Sequence, residues 1–86
     1  MRTRHYVNFG TRVITIATEV MEHLSGVMFT AYVENCSVRS HYLQNENIRR
    51  LWIEGICAIL DGADDKVRAE INSIIEIELK SFSSNR

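Results

Sequence analysis

Residues 13–43, VITIATEVMEHLSGVMFTAYVENCSVRSHYL, decide the fold. Residues 27–34 alternate, with Val27, Phe29, Ala31 and Val33 on one side and Met28, Thr30, Tyr32 and Glu34 on the other. That period of two marks a half-buried strand. Residues 37–43 alternate again, setting Val38, Ser40 and Tyr42 against Arg39, His41 and Leu43. Residues 13–24 are ambiguous. Their first half is rich in β-branched residues and favours a strand, whereas residues 17–24 suit a helix equally well.

Turn chemistry argues for the strand, and the helical alternative stays open. Ser25-Gly26 reads as a two-residue hairpin turn, with glycine available for positive φ. It pairs Leu24 with Val27, Val20 with Ala31 and Thr18 with Val33. A second turn at Asn35-Cys36 pairs Val33 with Val38, Ala31 with Ser40 and Phe29 with Tyr42. Both hairpins place the apolar set of the middle strand on one face, so two independent turns agree on a meander. The other face then carries Glu19, Tyr32 and Arg39 in a row, with Met21, Thr30 and His41 beside them. Glu22 opposite Phe29 is the one poor pair. Upstream, residues 4–9 form a short first strand that Gly10 breaks.

Downstream the period changes to that of a helix. In residues 45–60, Ile48, Leu51, Trp52, Gly55, Ile56, Ile59 and Leu60 make one stripe, with Arg49, Arg50 and Glu54 off it. Asn45 is a good N-cap, and Asp61-Gly62 ends the helix. Gly55 predicts a close neighbour over the stripe. Asp64 or Asp65 caps a second helix with the stripe Val67, Ile71, Ile74, Ile75, Leu79 and Phe82, leaving Ile77 outside it. Residues 81–86 are expected to fray. The expectation is α+β: an antiparallel meander of three to four strands followed by two helices packed on one face. The predicted core gathers Phe29, Val33, Val38, Ile48, Ile56 and Ile71 around Trp52.

The chain of 86 residues, 45% hydrophobic and 24% charged, suits a single small folded domain over residues 1–86. It has no proline, repeat or low-complexity segment. The net charge of −1 argues against direct, specific nucleic-acid binding, which draws its affinity from phosphate contacts. Cys36 and Cys57 read as free thiols in a reducing compartment, and no spacing among Cys and His suits zinc. The polar start MRTRHYVNFG is no signal peptide, and no apolar run spans a bilayer. The expected location is cytoplasmic, without membrane attachment.

No Gly-rich phosphate loop, telling Cys–His pair or H-E-x-x-H occurs, so no catalysis and no cofactor are expected. Asp61, Asp64 and Asp65 read as solvated helix-capping groups, not a metal site. His5, His23 and His41 read as surface histidines, and Arg49-Arg50 as a solvated helix face. The sheet face opposite the helices, with Glu19, Met28, Tyr32, Arg39 and His41, is the candidate contact surface, because such mixtures are enriched at protein interfaces. An ordinary half-wet sheet is the plain alternative. Homodimerisation through that face or an open strand edge is another.

Three short stretches carry a family resemblance: Gly26…Ala31-x-Val33-Glu34-Asn35, then Ser37-Val38, then Trp52-x-x-Gly55-Ile56. Together they resemble the small phage-encoded anti-CRISPR inhibitors of the type I-F surveillance complex. The turn at Asn35-Cys36 is shorter than the family's, the first helix is longer, and the segment before Gly26 matches in length alone. The resemblance implies a non-catalytic inhibitor in the host cytoplasm. Its sheet would pack on the lysine-rich backbone subunits that hold the guide RNA, so that target DNA cannot pair. It places the family's acidic contact on Glu34 and its two tyrosine contacts near Phe9 and His23. Neither of those is tyrosine here, and Tyr32 is a substitute on our reading. The candidate partner-binding set is therefore Phe9, Glu19, His23, Tyr32, Glu34 and Arg39, in a monomer or homodimer. A second resemblance starts at Asn45-x-Asn47-Ile48 and is to the small all-α, dimeric biofilm regulators of enterobacteria. It requires residues 11–24 to be helical.

Overall fold

A computed structural model describes residues 2–84. Four strands, β1 (Arg2–Phe9), β2 (Arg12–Met21), β3 (Gly26–Val33) and β4 (Cys36–Ser40), precede two helices, α1 (Glu46–Leu60) and α2 (Asp65–Ser84). The strands form one antiparallel sheet in the order β1-β2-β3-β4, and both helices lie on the same side of it. The α+β meander is the architecture read from the sequence, at its four-stranded limit. An all-α architecture does not describe this chain. The run VITIAT settles residues 13–18 as strand, since branched Cβ atoms restrict χ1 in a helix and fit the pleated sheet.

Both predicted hairpin registers are off, and each is off by an even step. The β2–β3 connection is longer than two residues. Glu22–Leu24 forms a 3-10 turn and Ser25 takes φ 50°, so Met21 faces Gly26 and Thr18 faces Phe29. The β3–β4 turn lies at Glu34-Asn35, where Glu34 takes φ 54°, so Val33 faces Cys36 and Ala31 faces Val38. Because faces alternate with period two, even slips leave the side chains that remain within the strands on their predicted faces. Tyr42 does not pair with Phe29. It turns back over Gly26, whose added Cβ would lie 3.2 Å from its ring, and its hydroxyl donates to the Leu24 carbonyl.

Val7, Ile14, Ile16, Val27, Phe29, Ala31 and Val33 fill the helix side of the sheet, under Trp52, Ile56, Leu60, Ile71 and Ile75. Trp52 is 5% exposed and meets Phe29 edge-on at 6.2 Å, while its indole N–H donates to the Val38 carbonyl. The α1 stripe is rotated from its predicted position. Ile53 and Cys57 are buried, whereas Ile48 is 45% and Leu51 71% exposed, so Ile48 is not a core residue. The cause is that α1 touches α2 as well as the sheet, so its buried sector is centred between two neighbours. Arg49 is drawn in too, donating to the Leu43 carbonyl at 2.9 Å and facing Glu76. Nothing packs over Gly55, contrary to expectation.

The caps hold as read. Asn45 accepts from the amides of Asn47 and Ile48, and Asp64 accepts from Val67. The second helix does not fray at residue 81. It continues to Ser84, with Phe82 against the core; residues 85 and 86 lie outside the described part.

Candidate functional site: the open face of the sheet

With one side of the sheet closed by helices, strand alternation decides what the other side displays. Pairing sets these residues in rows across the strands. Tyr6, Thr15, Tyr32 and Ser37 form one row, and Arg4, Ala17, Thr30 and Arg39 the next. Arg2, Glu19 and Met28 begin a third. Tyr6 is 63% and Tyr32 43% exposed, whereas Thr30 is buried at the floor. Ala17 and Thr30 leave a shallow hollow of about 210 Å³, rimmed by Arg4, Arg39, Tyr32 and Met28.

The charge layout differs from the one that Glu19 and Glu34 side by side with Arg39 would give. Glu19 faces Arg2, not Tyr32 and Arg39, and their side chains form an ion pair at 2.7 Å. Glu34 is not on this face. Its carboxylate meets the Arg12 guanidinium at 2.8 Å, and Arg12 also donates to the Leu60 carbonyl at the end of α1. Arg12 shares the helix side of β2 with Ile14 and Ile16, so Glu34 is held at the end of the molecule. Arg4 and Arg39 have no ion-pair or hydrogen-bond partner among the described residues. With Arg2 and Glu19 cancelling, Arg4 and Arg39 leave the face basic.

Of the candidate set, Glu19, Tyr32 and Arg39 share the open face. Phe9 lies half-buried on the helix side at the end of β1, and His23 is exposed in the 3-10 turn. Sequence reasoning missed Tyr6, Arg2 and Arg4. Their alternation in RTRHYVNF was the available signal, but it had no register until β1 was paired with β2.

A polar chain lies beneath the sheet. Thr3 contacts Thr18, which donates to Glu78, and Glu78 meets His5 at 2.7 Å. It joins β1 and β2 to α2, with Thr18 buried. Burial pushes the Cys57 thiol up from its ordinary value, while Cys36 is exposed. Among the described residues no group of three or more His, Cys, Asp or Glu is placed to hold a metal ion. No helix there is long and apolar enough to cross a membrane. No family model, curated protein or solved structure matches this chain.

Proposed function

We propose that this chain is a non-catalytic binding protein that acts by occupying a macromolecular partner with the open face of its sheet. One observation carries the reading: that face presents two exposed tyrosines and two arginines without a partner among the described residues, while helices close the other face. Desolvating unpaired guanidiniums and flat rings against a partner gives both charge complementarity and apolar contact. The resemblance to type I-F anti-CRISPR inhibitors supplies the sharper form of the proposal. The partner is then a crRNA-guided surveillance complex in the host cytoplasm, and the consequence is failure of target DNA to hybridise. The basic face changes the surface sought on that partner, from lysines to acidic or phosphate groups.

The test is target-DNA binding by purified type I-F surveillance complex with the protein added. Wild type is expected to abolish hybridisation, and Tyr32→Ala with Arg39→Glu to restore it, with the thermal midpoint nearly unchanged. Wild type without effect would remove the anti-CRISPR form. Inhibition that survives the double substitution would remove the open face as the contact surface.

A further inference from the structure

The two inner rows of the open face differ in chemistry and run parallel. They are two residues apart along each strand, about 7 Å, and neighbours within a row are about 4.8 Å apart. Tyr6 and Tyr32, flanking small Thr15, therefore stand about 10 Å apart with their rings uncovered. Arg4 and Arg39 stand one strand further apart, about 14 Å, flanking Ala17 and Thr30 above the hollow. Resting on the reading that this face is the binding surface, we infer that it holds single-stranded nucleic acid. Bases lie on the tyrosine row and phosphates on the arginine row.

A single strand presents that pairing of rows, one flat and apolar, the other anionic and regularly spaced. Base–aromatic stacking tolerates any base, and guanidinium forks match phosphate oxygens. A duplex keeps its bases stacked inside and offers the tyrosines nothing. An acidic protein surface satisfies the arginines but supplies no row of flat rings beside them. The net charge of −1 is no obstacle, because it is unevenly distributed. Of the 11 acidic residues, only Glu19 lies on this face, and Arg2 neutralises it. The local field, not the total, steers an anion.

The experiment is fluorescence anisotropy of a labelled oligothymidylate with the intact protein. Saturable binding is expected, weakening about sevenfold from about 50 to about 200 mM salt, the slope for roughly two neutralised phosphates on a single strand. Tyr6→Ala with Tyr32→Ala is expected to lose about tenfold or more. Arg4→Ala with Arg39→Ala should lose affinity and flatten the salt dependence, while Arg50→Ala on α1 should bind as wild type. If a double variant does not fold, Tyr32→Leu and Arg39→Gln singly, each with an unchanged thermal midpoint, are expected to show the same losses in smaller measure. Absence of saturable binding overturns the inference. So does undiminished binding by the folded open-face variants, or equal competition by duplex DNA or polyglutamate of matched charge. Open-face-dependent inhibition of the surveillance complex without oligothymidylate binding would overturn this inference and leave the proposed function standing. Loss of both would overturn both.

Discussion

Trp52 shows how far single residues could be read. The only tryptophan, mid-stripe in an amphipathic run, was legible as a core residue, and it is buried edge-on against Phe29. Removing it leaves a cavity and takes away the indole donor to the Val38 carbonyl. Trp52→Ala is expected to cost about 3–5 kcal/mol in urea unfolding, a large fraction of a small domain's stability. Intrinsic fluorescence should be blue-shifted when folded, and emission like that of an exposed indole would contradict the packing. Ile48 and Leu51 were not legible, because periodicity finds an apolar stripe but does not say how many neighbours share it. Glu34 was misplaced for a different reason. One residue of uncertainty in a turn moves a side chain out of the strand altogether, and positive φ at Glu34 directs it to Arg12.

At the scale of elements, the sheet was readable and its registers were not. Face assignment needs parity alone, so Tyr32 and Arg39 were correctly placed on the open face by turns that were wrongly positioned. Neighbour assignment needs the true register, so the expected Glu19–Tyr32–Arg39 row was wrong. The junction of the helices was also invisible in the sequence. Arg68 donates to Glu54 at 2.6 and 3.2 Å and to the Ala63 carbonyl at 3.1 Å, tying α2 to α1 across the connecting turn. The Arg68 hydrogen bond holds the Glu54 carboxyl below its ordinary value of 4.5. A depressed carboxylate stabilises the fold above its unfolded value, and the contribution is lost as pH falls through the folded one. Glu54→Gln should therefore lower the thermal midpoint at neutral pH, and the difference from wild type should vanish in acid once the pH is below the depressed folded value. A difference that persists there would show that the pair does not act through charge. The effect is small, because the pair is exposed and screened.

For the whole molecule, the division of labour between two faces is the central feature. Helices seal one side of the sheet, and the other displays Tyr6 and Tyr32 with Arg4 and Arg39, whose guanidiniums have no partner among the described residues. Total charge hid this, since acids on turns and helices cancel a basic sheet. The most direct measurement is amide shift mapping by two-dimensional NMR during titration with oligothymidylate. The account predicts perturbations concentrated at Arg4, Tyr6, Thr15, Ala17, Thr30, Tyr32, Ser37 and Arg39, with the outer sides of α1 and α2 silent. Shifts centred on the helices, around Leu51 or Lys66, or none at all at saturating oligonucleotide, would contradict it.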